Sequence, residues 1–100
     1  MSFSKRKLVF ITGATSGIGQ AAAKIFAKNG YNLIITGRRN ERLSEVSQRL
    51  VRKYGSEVKT LCFDIRHNDE VNAAWQSLDP NWQVVDILVN NAGLAKGFDP

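Results

Sequence analysis

Short β-prone runs alternate with longer, helix-patterned segments along this chain, and that alternation restricts its fold more than any other feature. Lys7–Thr12 (KLVFIT) is a β-rich run closed by Gly13. Gly17–Asn29 (GIGQAAAKIFAKN) is alanine-rich, with Ile18, Ala22, Ile25 and Phe26 at helical spacing and Gly30 as a stop. A second β-rich run, Tyr31–Thr36, ends at Gly37. It leads into a helical pattern over Asn40–Tyr54, with Leu43, Val46, Leu50 and Tyr54 on one face and Gly55 as the stop. Val58–Phe63 reads as a third strand. Asn68–Leu78 reads as a third helix, with Val71, Ala74, Trp75 and Leu78 on one face and with Asp69 and Glu70 at the positive end of its dipole. Val84–Asn90 (VVDILVN) reads as a fourth strand.

The order βαβαβαβ predicts an α/β fold in which helical crossovers join parallel strands. Right-handed crossovers leave few topologies, and a Rossmann-type doubly wound sheet in strand order 3-2-1-4 is the expected one. Its ligand crevice lies beyond the C-terminal ends of the strands. In this chain those ends are Gly13, Gly37, Asp64 and Asn90–Gly93, so the unusual residues gather where such a fold binds its ligand.

Composition narrows the function classes. One hundred residues suffice for one small domain. No apolar run approaches the ~18–20 residues of a membrane span. The basic lead-in Ser4–Lys7 precedes only a short apolar stretch, Leu8–Ile11, against the roughly 7–15 residues of a secretory signal core. Cys62 is the sole cysteine, so no internal disulfide forms, and it reads as a small buried hydrophobe on a strand. A reducing, cytoplasmic setting is expected. The net charge of +5 divides into +7 over residues 1–50 and −2 over 51–100, which suits an anionic partner or a solvated surface. Basic residues do not interleave with aromatics, so nucleic-acid binding has little support. His67, the sole histidine, sits in a polar loop without a nucleophile nearby and reads as solvated. Trp75 and Trp82 read as packing residues.

The loop Thr12–Gly19 (TGATSGIG) carries the strongest chemical signal. A glycine ending the strand permits a tight turn, a second admits phosphates close to backbone, and a third allows helix and strand to approach. The helix that follows directs free N–H groups and its positive dipole end at an anion. Thr15 or Ser16 caps that helix or donates to phosphate. No Lys-Ser/Thr follows the last glycine, so this is not a nucleotide-hydrolase loop.

Arg38 and Arg39 stand at the end of the second strand, Arg38 lying 19 residues past Gly19. An NAD site places there an acid that holds the adenosine ribose hydroxyls. Cations beside a helix N-terminus cost roughly 0.3–1 kcal/mol each. A 2′-phosphate reverses that balance, because guanidinium groups fork onto phosphate oxygens. The pair therefore reads as an NADP clamp, with two solvated loop arginines as the alternative. Asp64 has two open readings: acceptor for the adenine amine, with Ile65 packed on the ring, or cap of the next turn.

These residues resemble the short-chain dehydrogenase/reductases. TGATSGIG matches that family's T-G-x-x-x-G-x-G cofactor motif, Asp64 its adenine-contacting acid, and DILVNNAG (Asp86–Gly93) its N-N-A-G strand end. The strings GRRNERL and VDILVNNAGLAKG are similar to the subgroup of NADP-dependent 3-hydroxy acid dehydrogenases acting on serine- and allo-threonine-like substrates. The resemblance implies that Gly13, Ala14, Thr15, Ser16, Gly17, Ile18 and Gly19 cradle pyrophosphate and ribose. It implies that Arg38 and Arg39 hold the 2′-phosphate, and that Asp64 and Ile65 frame the adenine. Asn91, Ala92 and Gly93 then lie near the nicotinamide ribose, and Asn90 ties the fourth strand into the sheet. It implies an NADP-dependent oxidoreductase with a small-molecule substrate such as a hydroxy acid, and a dimer or tetramer, without nucleic-acid or membrane partners.

The family's catalytic Ser, Tyr-x-x-x-Lys and Asn follow the N-N-A-G strand. Tyr31 is followed four residues on by Ile35 and Tyr54 by Val58, so neither begins such a pair. Residues 1–100 are therefore expected to be the N-terminal part of one dinucleotide-binding domain that continues beyond Pro100, with no catalytic residue among them. A non-catalytic NADP-binding module is the alternative.

Overall fold

The computed structural model describes residues 6–64 and 67–91. Four parallel strands, β1 (Leu8–Thr12), β2 (Asn32–Gly37), β3 (Val58–Cys62) and β4 (Ile87–Asn90), form one sheet in the order β3-β2-β1-β4. Helices α1 (Gly17–Lys28), α2 (Asn40–Tyr54) and α3 (Asn68–Gln76) supply the crossovers. The expected doubly wound order is the one observed.

Period-two alternation along β1 and β2 sends side chains to opposite faces. Val9, Ile11, Leu33 and Ile35 face α1 and α2, where they meet Ala23, Ala27, Leu43, Val46 and Leu50. Leu8 and Ile34 face the other way, onto Leu61, Phe63 and Leu78, with Val71, Ala74 and Trp75 of α3 against them. The Phe10 and Trp75 rings are 6.0 Å apart and tilted. A sheet covered on both faces needs near-continuous apolar strands, and LVFIT and NLIITG are such strands.

Helix α1 keeps half of the expected face: Ala22 and Phe26 are half-buried against the core, but Ile18 and Ile25 are not. Its buried positions are Gly19, Ala23 and Ala27, whereas Ile18 and Ile25 are 75% and 61% exposed. Small residues let the helix lie close to the sheet, and that proximity selects the face over side-chain hydrophobicity. Cys62 is also exposed rather than buried: its Sγ donates to the Arg38 carbonyl at 3.4 Å. It belongs to β3, an edge strand of the described sheet.

One bound shifts for a local reason. The fourth strand begins at Ile87 rather than Val84, because Pro80–Gln83 form a 3-10 turn with Pro at its start. Asp86 then meets the start of β1, accepting from the Leu8 N–H at 2.8 Å and donating its own N–H to the Leu8 carbonyl at 2.9 Å. No helix of the described residues is long and apolar enough to cross a membrane.

The two faces of α1 and the sheet give a direct test. Ile35→Ala removes a fully buried side chain and should cost about 2–5 kcal/mol. Ile25→Ala should stay within about 0.5 kcal/mol, as an exposed substitution does. Urea denaturation midpoints of the two variants check both.

Candidate functional site

At the C-terminal edge of the sheet two of the three glycines of the first loop are required by the chain itself, each for a different reason. Gly13 adopts φ 64°, a left-handed conformation that strains any residue with a Cβ. Gly19 is needed for packing: a Cβ there would run into the Gly13 carbonyl oxygen and lie 2.8 Å from Ala14 Cα. Gly17 has neither reason. Its φ is not positive, and a Cβ would meet no protein atom within 4 Å. Gly17 is the first residue of α1, at the end of that helix where backbone N–H groups lack intrahelical partners.

A closed hydrogen-bond network shapes this loop. Ser16 is the N-cap of α1, and its Oγ accepts from the Gly19 N–H at 3.1 Å and donates to the Gly13 carbonyl at 3.0 Å. Asn91, 5% exposed, donates through Nδ2 to the same Gly13 carbonyl at 3.0 Å and to Ser16 Oγ at 2.8 Å. The serine hydroxyl thus uses its one hydrogen and both lone pairs. Asn91 therefore holds the loop from below with its amide nitrogen, a contact its place in the N-N-A-G string did not suggest. Asn90 accepts from Thr12 Oγ1 at 3.1 Å and joins β4 to β1. Ile18 is exposed beside the loop rather than in the core.

Backbone bonds bring the other candidates to the same edge. The Ala14 N–H donates to the Thr36 carbonyl at 2.9 Å, which joins the loop to the end of β2. A Cβ on Gly37 would lie 3.2 Å from Thr15 Cγ2, so the end of β2 stands directly beside Thr15. The Phe63 N–H donates to the Gly37 carbonyl at 3.0 Å and draws the end of β3 alongside. Arg38 and Arg39 follow Gly37 with exposed side chains, and neither meets a carboxylate among the described residues. Arg39 is the N-cap of α2 and makes no side-chain cap bond, so the helix presents its positive end beside both guanidinium groups. Asp64 comes next along the edge. Thus Gly13–Gly19, Arg38, Arg39, Asp64 and Asn91 share one rim. Ile65, Ala92 and Gly93 lie outside the described residues.

His67 does more than face solvent. It is the N-cap residue of α3, and its Nδ1 lies 2.8 Å from Glu70 Oε2. Glu70 Oε1 accepts the Asp64 N–H at 3.1 Å. The imidazole first, and the Asp64 N–H second, hold the Glu70 carboxyl below its usual value of 4.5. A lowered folded value means a stabilising contribution that is fully present above the ordinary glutamate range and is lost as pH falls through the folded value. The signal for this contact was the spacing of His67 and Glu70, one helical turn apart.

Comparison with known proteins gives the family. The short chain dehydrogenase profile matches residues 7–99. The chain belongs to the short chain dehydrogenase family. It is 42% identical over 93 residues to the NADP-dependent 3-hydroxy acid dehydrogenase YdfG of Salmonella typhi, covering 93% of this chain and 36% of that one. It is 46% identical over 92 residues to the serine 3-dehydrogenase of Agrobacterium fabrum, covering 92% and 35%. Among solved structures, L-sorbose reductase from Gluconobacter frateurii, complexed with NADPH and L-sorbose, superposes with a TM-score of 0.82 at 39% identity, covering 88% of this chain and 34% of that one. Serine dehydrogenase from Escherichia coli superposes at 0.76 with 37% identity, covering 84% and 37%. The chain thus spans about a third of the length of these relatives.

Two measurements check the site's construction. Gly19→Ala should lower stability by about 1–3 kcal/mol through overpacking against backbone, while Gly17→Ala stays within about 1 kcal/mol of the parent; calorimetric unfolding separates them. On acid titration followed by NMR, the Asp64 amide should keep its protection down to the ordinary glutamate range. It should lose it as pH falls through Glu70's lowered value.

Proposed function

We propose that this chain is the cofactor-binding part of an NADP-dependent oxidoreductase acting on a small secondary alcohol or its carbonyl counterpart. The observation that carries the reading is the pair of guanidinium groups at the N-terminus of α2, on the same rim as a glycine loop whose central glycine has no packing reason. The absence of any protein atom within 4 Å of a Cβ at Gly17 leaves space beside the start of α1 for a phosphate, which supports the reading. The names of the relatives, NADP-dependent in one case and NADPH-bound in another, support the same cofactor.

In this reading the N–H groups at the start of α1 and the loop Gly13–Gly19 bind the pyrophosphate, with Ser16 and Asn91 holding the loop in shape. Arg38 forks onto the 2′-phosphate, and Arg39 adds charge beside it. Asp64 accepts from the adenine amine. Ile65, Ala92 and Gly93 keep the roles that family resemblance implies. Bound NADP(H) supplies the hydride exchanged with the alcohol or carbonyl carbon. Catalytic proton transfer falls to residues that family resemblance places beyond position 100, in the continuation of the same domain. A 3-hydroxy acid substrate has the support of two relatives' names.

Calorimetric titration of the full-length protein with both cofactors tests this. Arg38→Ala should weaken NADP binding about 10- to 150-fold, the loss of a charge-assisted contact, and change NAD binding far less. Arg39→Ala should show a smaller effect of the same kind. Gly17→Val should fold and bind neither cofactor. Equal losses for NADP and NAD, or a parent protein that prefers NAD, would refute the clamp.

A further inference from the structure

Both backbone hydrogen-bonding groups of Asp64 are held from α3. Its N–H donates to Glu70 Oε1 at 3.1 Å, and its carbonyl accepts the His67 N–H at 2.9 Å. His67 and Glu70 are joined to each other through Nδ1 and Oε2 at 2.8 Å. A carboxylate only accepts, so the imidazole carries its hydrogen on Nδ1 in this contact. The carboxylate therefore spends one oxygen on Asp64 and the other on the residue that holds Asp64's carbonyl. We propose that Glu70, oriented by His67, is a positioning residue for cofactor binding: it fixes the Asp64 backbone so that the Asp64 carboxylate meets the adenine of NADP(H). The proposal rests on the NADP reading above and adds a residue to it.

Helix capping alone does not account for this arrangement. A glutamate at the third helical position ordinarily reaches back to the N–H of the N-cap residue. Here the N-cap N–H, that of His67, is already given to the Asp64 carbonyl, and the Glu70 side chain reaches three residues further back. On its other side Asp64 follows Phe63, whose N–H is fixed to the Gly37 carbonyl next to Arg38. The spacing between the adenine acid and the phosphate-binding arginines is thus set at two points: Phe63 on Gly37, and the His67–Glu70 pair on Asp64. Loosening the second point leaves the phosphate clamp intact and blurs the place of the acid. The contacts are exposed, so the effect is a graded loss of affinity rather than abolition.

The test uses the full-length protein and 2′,5′-ADP, which carries the adenine and the 2′-phosphate without the nicotinamide. Glu70→Ala should raise its Kd, and that of NADPH, about two- to tenfold, the loss expected for one intramolecular hydrogen bond. Glu70→Gln should restore most of the affinity, since its carboxamide oxygen accepts from Asp64 and its amide group meets the imidazole. Nicotinamide mononucleotide, which lacks adenine, should bind parent and variant alike. A residue that served only as a helix cap would lower Tm and leave the Kd of 2′,5′-ADP unchanged; that result in folded Glu70→Ala overturns the proposal. If Glu70→Ala does not fold, His67→Ala carries the test, with a smaller rise in the same Kd expected and no rise refuting it. A parent protein with no affinity for 2′,5′-ADP would refute the NADP reading itself, whereas parent binding with unchanged variants refutes only the role of Glu70.

Discussion

The close approach of α1 to the end of β1 is the constraint on which the rim depends. Only a residue without a Cβ can stand at position 19, because the Gly13 carbonyl oxygen occupies that space. This contact sets where α1 starts, and so where its free N–H groups point. It also makes Gly13 O the node of the loop: the oxygen is packed by Gly19 and accepts from both Ser16 and Asn91. Because Asn91 follows directly after β4, the node ties a strand more than seventy residues away in sequence to the turn after β1. Sheet order and loop shape are therefore one problem, solved by the same few atoms.

That economy explains which parts of the fold were legible in the sequence. The strand–helix alternation, the face of α2 and the sheet order follow from hydrophobic period and crossover handedness, both local or topological rules. The face of α1 does not. Hydrophobicity favours Ile18 and Ile25, but Gly19, Ala23 and Ala27 are the buried positions, with Ala22 and Phe26 packed half-buried beside them. A run of small residues at helical spacing is itself a sign of close packing, and in this helix it outranks the isoleucines. Cys62 misled in a similar way: apolar residue type said buried, while its position on an edge strand of the described sheet, pointing toward Arg38, left it exposed.

The candidate site was legible as a set of residue types at strand ends and illegible as a network. The loop glycines read as phosphate-facing from their spacing alone, yet the spacing cannot say which glycine serves the chain and which serves a ligand. The structure shows which glycines the chain itself requires, Gly13 by its φ and Gly19 by packing, and that Gly17 is required by neither. Asn91 and Glu70 were harder still. Each acts through a contact across the turn, one with the Gly13 carbonyl and one with the Asp64 N–H, and no sequence period encodes such a contact. His67 read as solvated because its partner lies on the next turn of a helix rather than beside a nucleophile or metal.

The arginine pair shows how an unfavourable local choice becomes informative. Two cations at a helix N-terminus oppose the dipole, at roughly 0.3–1 kcal/mol each. Elsewhere on α2 the charges follow the dipole, with Glu41 in the first turn and Arg52 and Lys53 in the last. Arg38 and Arg39, followed by Arg42 in the first turn, run against the pattern, and at 38 and 39 the backbone is pinned on one side by Phe63 on the Gly37 carbonyl and by Cys62 on the Arg38 carbonyl. Among the described residues neither side chain meets a carboxylate. An anion bound at the rim converts the opposition into attraction, since helix dipole and guanidinium groups then act on it with the same sign. On the proposed reading, that shared sign is what separates the 2′-phosphate of NADP from the bare ribose hydroxyl of NAD, which offers neither partner a charge.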